Sequence, residues 1–123
     1  MIICIKKKSY IRPARHFNKT ESLLVIYGSA KAIFFDDFGN IINVIRLGNG
    51  KYSKIYYRMN KPIYHTLLIE SDYFIFHETT KGPMVRSDTE FSKWSPDESK
   101  LEESELFLKK IHLESEKYLK AKI

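Results

Sequence analysis

The sequence predicts a mainly β protein, one small antiparallel barrel or sandwich followed by a C-terminal α-helix. Three observations carry this expectation. Short apolar runs rich in Tyr, Phe and Ile recur from Leu23 to Glu78, separated by turn residues at the roughly 8 to 12 residue spacing of such folds. The chain has 123 residues, 43% of them hydrophobic, which suffices for one core and not for two ordinary ones. Beyond Trp94 the apolar residues switch to helical spacing.

Along the chain, Lys6, Lys7, Lys8, Arg12, Arg15 and Lys19 fall in the first 20 residues, where there is no acid, and the net charge is +6. This stretch is read as a basic arm. Clustered positive charge attracts a phosphate, nucleic acid or anionic sugar over about 8 to 10 Å, although solvated lysines also simply keep a chain soluble. Strands are expected at 23–27, 31–35, 41–47, 52–57 and 64–69, with 73–78 as a sixth. Gly28-Ser29, Asp36 to Asn40, Gly48-Asn49-Gly50, Asn60-Lys61-Pro62 and Ser71-Asp72 supply the turns, so successive strands are expected to run antiparallel.

Ser95-Pro96-Asp97-Glu98 reads as a helix start, with Ser95 as cap, Pro96 in the first turn and Glu98 completing a capping box. Leu101, Leu108, Ile111 and Tyr118 would then form one apolar stripe, and Lys117, Lys120 and Lys122 would meet the negative end of the helix dipole. The expected organisation is a β body with its basic arm over residues 1–94 and a helix over 95–123, packed on the body or on a partner chain.

Cys4 is the single cysteine, so no internal disulfide forms, and no Cys/His spacing suits zinc; a reducing cytoplasm fits. The N-terminal apolar run is too short for a secretory signal and its lysines stand on the wrong side. No segment approaches the roughly 20 apolar residues of a membrane span. The expectation is a soluble cytoplasmic protein without membrane insertion.

Candidate chemistry rests on the histidines. His112 falls among acids and lysines and reads as a surface residue, and His77 ends a strand and reads as structural or rim. His65 alternates with Leu67 and Ile69, which turns it inward, where an imidazole needs a polar partner. His16 and Glu21 precede the first long apolar run, and Gly28 then turns the chain into the next strand. Convergence of His16, Glu21 and His65 would give two imidazoles and a carboxylate, a ligand set that suits divalent Zn, Fe, Mn or Ni with positions left for substrate. A hydrogen-bonded polar cluster without metal is the alternative.

Ala14-Arg15-His16, Glu21, Gly28 and His65 match the frame of the cupin motifs, in which His-x-His is followed by Glu, then Gly, then a further His from a later strand. More narrowly, Tyr10-Ile11-Arg12-Pro13, Phe35 to Gly39, Tyr64-His65-Thr66-Leu67, Glu78 to Pro83 and Asp88 to Glu98 resemble the WbuC-type cupin proteins in kind and in order. The resemblance implies a small jelly-roll β-barrel with a metal site at His16, Glu21 and His65, associated with bacterial O-antigen or other surface-polysaccharide biosynthesis. Two departures stand out: Ala14 occupies the place of the first His, and relatives carry a longer N-terminal segment. Alanine cannot coordinate a metal, so the site is expected to be weakened.

Arg12, whose guanidinium suits a phosphate or carboxylate, is expected to bind substrate with Tyr10 and Tyr64. His65 and Glu21 are the candidate catalytic residues. These assignments suit a metal-assisted isomerase or epimerase acting on a nucleotide-linked or lipid-linked sugar. The alternative is a non-catalytic, degenerate cupin that binds a sugar or stabilises a partner enzyme. A homodimer is expected from strand edges and the helical stripe. Nucleic-acid binding is the least favoured reading, because the tyrosines alternate within strands.

Overall fold

The computed structural model describes residues 1–81 and 85–122. Its strands are β1 (Ile2–Lys6), β2 (Ala14–His16), β3 (Glu21–Tyr27), β4 (Ala30–Phe35), β5 (Ile41–Leu47), β6 (Tyr56–Met59), β7 (Tyr64–Ile69), β8 (Tyr73–Thr80) and β9 (Thr89–Phe91), followed by α1 (Leu101–Ala121). They form a four-stranded sheet, β1-β8-β3-β6, and a five-stranded sheet, β5-β4-β7-β2-β9. The strand pairings within both sheets are antiparallel.

Alternation along the strands divides the apolar residues into two cores. Leu23, Phe74 and Phe76 of the four-stranded sheet pack with Ala32, Phe34, Leu67 and Ile69 of the five-stranded sheet. The opposite face of β4 and β7 presents Ile33, Phe35 and Tyr64 to Phe107 and Ile111 of α1. The five-stranded sheet is therefore covered on both sides, which is why every residue of β4 is buried. Burial of each large side chain contributes about 1.5 to 3 kcal/mol.

The mainly β class and the C-terminal helix are as expected, but the sheets do not close into a barrel: β1 and β6 end one sheet, β5 and β9 the other. The basic arm needs correction as well. Ile2–Lys6 pairs with β8 and turns Ile3 and Ile5 toward the core, so only the lysines past this strand behave as a solvated stretch. The strand expected at 52–57 begins at Tyr56, because Ser53 N–H donates to the Gly50 carbonyl and keeps the preceding residues in a turn.

The helix begins at Leu101 rather than at Ser95. The Ser95 hydroxyl is committed to Ser92 and to the Arg12 guanidinium, which leaves it unable to cap. The buried stripe of α1 is Ser104, Phe107, Ile111 and Ser115, and Leu101 is exposed. Gly28 turns β3 into β4 at φ 88°, where an added Cβ would strike the Tyr73 carbonyl oxygen. The Gly82-Pro83 part of the resemblance lies outside the described residues. Among the described residues, no helix is long and apolar enough to cross a membrane.

Candidate metal centre

A cavity of about 410 Å³ opens between the two sheets. Its polar end combines both: Glu21 begins β3 in the four-stranded sheet, whereas His16 ends β2 and His65 belongs to β7 in the five-stranded sheet. His16 Nε2 lies 3.5 Å from Glu21 Oε1, and His65 Nε2 lies 3.3 Å from Glu21 Oε2. One donor atom from each of the three residues falls within 4.8 Å of the others.

The outer ring nitrogens are already engaged. His65 Nδ1 lies 2.9 Å from the Ile63 carbonyl oxygen, and His16 Nδ1 lies 3.0 Å from Thr89 Oγ1. A carbonyl can only accept, so the proton of neutral His65 sits on Nδ1 and its Nε2 lone pair faces Glu21. Lone pair would then face carboxylate, an arrangement that calls for a proton or a metal cation between them. Metal bonds of about 2.0 to 2.2 Å set adjacent donors about 3 to 3.5 Å apart, which the two carboxylate–imidazole distances match. The residues therefore fit a divalent ion.

Burial lowers the His16 pKa, which favours the neutral ring that a metal requires, with Glu21 opposing. At Glu21 burial acts upward, but a hydrogen bond from His65 and the charges of His65, His16 and Lys19 outweigh it and the carboxyl ends below its usual range, which corresponds to a proton rather than a metal between His65 and Glu21. Ala14 pairs directly with His65 across β2 and β7 and lines the same cavity. A histidine there would stand beside His65, as the motif frame implies.

Arg12 also lines the cavity, but its guanidinium donates to the Ser92 carbonyl at 2.8 Å and to Ser95 Oγ at 3.2 Å and meets Asp97 at 3.4 Å. It ties the approach to β2 to the loop before α1. Tyr10 and Tyr64 do not reach the cavity. Tyr10 donates to the Pro96 carbonyl and packs on Phe107, while Tyr64 turns to the helix side, donates to Glu90 and lies under the Arg15 guanidinium. Adjacent positions on a strand face opposite ways, so Tyr64 could not share the side of His65.

Lys19, Tyr57, Glu78 and Thr89 line the cavity and were missed as site residues. Alternation with Phe74 and Phe76 could have found Glu78; nothing local marks Lys19 or Thr89. Burial, then the charge of Glu21, raises the Glu78 pKa, and burial with the same carboxylates raises that of Tyr57.

Residues 1–47 match a family described as a domain of unknown function, DUF6016. No curated protein matches the chain. Among solved structures, protein SO0799 from Shewanella oneidensis is similar with a TM-score of 0.62 at 10% identity, over 73% of this chain and 58% of that one. The capsular polysaccharide assembling protein CapF from Staphylococcus aureus is similar with a TM-score of 0.57 at 16% identity, over 73% of this chain and 26% of CapF. CapF with the inhibitor 3-isopropenyl-tropolone gives the same values. The fold is of the cupin type. This chain spans less than two thirds of the length of each of these proteins.

Proposed function

We propose that this cupin is a cytoplasmic, WbuC-type metalloprotein of bacterial surface-polysaccharide biosynthesis, acting on a sugar or sugar nucleotide. The observation that carries the reading is the convergence of His16, Glu21 and His65 on one point of the cavity. The likeness of fold to a capsular polysaccharide assembling protein supports the setting.

His16, Glu21 and His65 would hold a divalent Zn, Fe, Mn or Ni ion, which when bound supplies Lewis acidity toward a carbonyl or hydroxyl oxygen. Thr89 and the Ile63 carbonyl orient the two rings. With Glu21 and His65 committed as ligands, the proton transfer of an isomerase or epimerase falls to Glu78, a second carboxyl that lines the cavity. Ile3, Ile5, Leu67 and Phe76 form an apolar wall of the cavity.

The test is titration of the metal-free protein with Zn²⁺, Ni²⁺, Mn²⁺ and Fe²⁺, followed by assay on sugar nucleotides. One ion per chain, lost in His65→Ala, is expected; no uptake of any of the four sinks the reading. Uptake without conversion, unaffected by Glu78→Gln, favours the alternative of a non-catalytic sugar-binding module, which Ala14 in place of a ligand motivates.

A homodimer is proposed across the outer face of the four-stranded sheet. Ile2, His77, Leu24 and Tyr56 form one cross-strand row there, all exposed. Sedimentation of Leu24→Glu should report a monomer, and a wild type that is already monomeric removes the proposal.

A further inference from the structure

Lys19 is 9% exposed and lines the cavity. Asn18, at φ 57°, turns the chain between β2 and β3 immediately before it. The charge of Lys19 acts on His16, Glu21 and Glu78. Among the described residues its ammonium has neither a hydrogen bond nor an ion pair, and it is not one of the fully buried, unpartnered polar atoms, so it stays accessible. The stem of Lys19 is buried while its ammonium stays accessible, so an anion entering the cavity can reach it without displacing a protein partner. Lys31 shows how this chain treats the same residue type when it is structural: fully buried, it meets Ser115 Oγ at 2.7 Å and Glu116 at 2.8 Å.

We propose that Lys19 makes the cavity a receptor for a carboxylate-bearing ligand of monosaccharide size, the ammonium taking the carboxylate while the ligand's other oxygens face His16, Glu21 and His65. This deepens the proposed metal centre and rests on it. The charge balance points to an anion. A divalent ion, Lys19 and Arg12 bring four positive charges, against at most three negative ones from Glu21, Glu78 and Glu98, inside walls built of Ile3, Ile5, Ile11, Leu67 and Phe76. An excess of one sign in such surroundings favours a counter-ion. A single ammonium beside two carboxylates suits a monoanionic carboxylate better than a dianionic phosphate. A cavity of about 410 Å³ accommodates one sugar ring.

The experiment is calorimetric titration of nickel-loaded protein with D-glucuronate, D-glucose and glycolate. Glucuronate should bind at least about tenfold more tightly than glucose, the difference expected of one charge-assisted contact. Lys19→Gln should abolish that preference while keeping nickel affinity, and Lys19→Arg should restore most of it. Equal affinity of the wild type for glucuronate and glucose overturns the proposal without reference to any variant. So does a preference unchanged in Lys19→Gln, or failure of both acids to bind. Failure of the metal centre reads differently: no nickel uptake, with a Lys19-dependent preference for glucuronate persisting in the metal-free protein, removes the ion and keeps the receptor.

Discussion

On its helix side the five-stranded sheet buries Lys31 completely and surrounds its ammonium with Ser115, Glu116 and, at 3.4 Å, His112. On its cavity side the same sheet holds the inward nitrogens of His16 and His65 against Glu21 at 3.5 and 3.3 Å, with Lys19 lining the same cavity and unpaired among the described residues. Both clusters place ionisable groups in apolar surroundings. One is internally complete and fastens α1 to β4; the other is the one for which we propose a cation and an anion from outside. The contrast teaches that burial of charge does not by itself mark a function. What marks it is an unmet valence aimed into open space.

The largest expected effect breaks the closed cluster. Glu116→Gln leaves the Lys31 ammonium buried without its counter-ion and should cost about 2 to 3 kcal/mol in urea denaturation, somewhat below the value for a fully buried pair because Glu116 is 34% exposed. Lys31→Met removes the buried charge itself and should cost less than half as much. If the two variants are equally destabilised, the ion pair is a net stabiliser and the two faces of the sheet differ less than stated.

On the cavity side the effects should appear in binding and not in stability. His65→Ala should weaken divalent-metal affinity about a hundredfold with the melting temperature of the metal-free protein nearly unchanged, and Thr89→Val, which frees His16 Nδ1, should weaken it about tenfold. A large loss of metal-free stability in either variant would make this cluster as structural as the other.

The smallest effect is a pH dependence read on the helix side. The hydrogen bond from Lys31, then the charges of Lys31 and Arg46, hold the Glu116 carboxyl below its usual 4.5 although burial opposes them. A carboxyl depressed by folding contributes stability that is present above its unfolded pKa and lost as pH falls through the folded one. The difference in urea midpoint between wild type and Glu116→Gln should therefore be constant above about pH 5 and shrink toward pH 3. A difference that grows on acidification would mean that Glu116 is not the partner of Lys31.

Much of this was legible in order of residues alone. Alternation in Tyr64–Ile69 placed His65 inward, and the frame from His16 through Glu21 to Gly28 located two more site residues and a turn that only glycine fits. The same alternation turns Tyr64 away from the site, against the expectation that it binds substrate. Short strands were harder: Ala14–His16 and Thr89–Phe91 have three residues each and exist because they pair with one another. The helix start at Ser95 failed for a related reason, since a capping hydroxyl is free only if no distant group claims it, and Arg12 does.

By itself the sequence determined the mainly β class, most strand positions, the terminal helix and the residues able to hold a metal, because these depend on local periodicity and side-chain chemistry. Only the tertiary structure decided that the sheets stay open, that Arg12 is bound to a loop, that Lys31 is locked beneath α1 and that Lys19 is left facing the cavity. Each of those outcomes turns on whether a polar group meets a partner far away in the chain, and such partnerships are made by packing two sheets and a helix together.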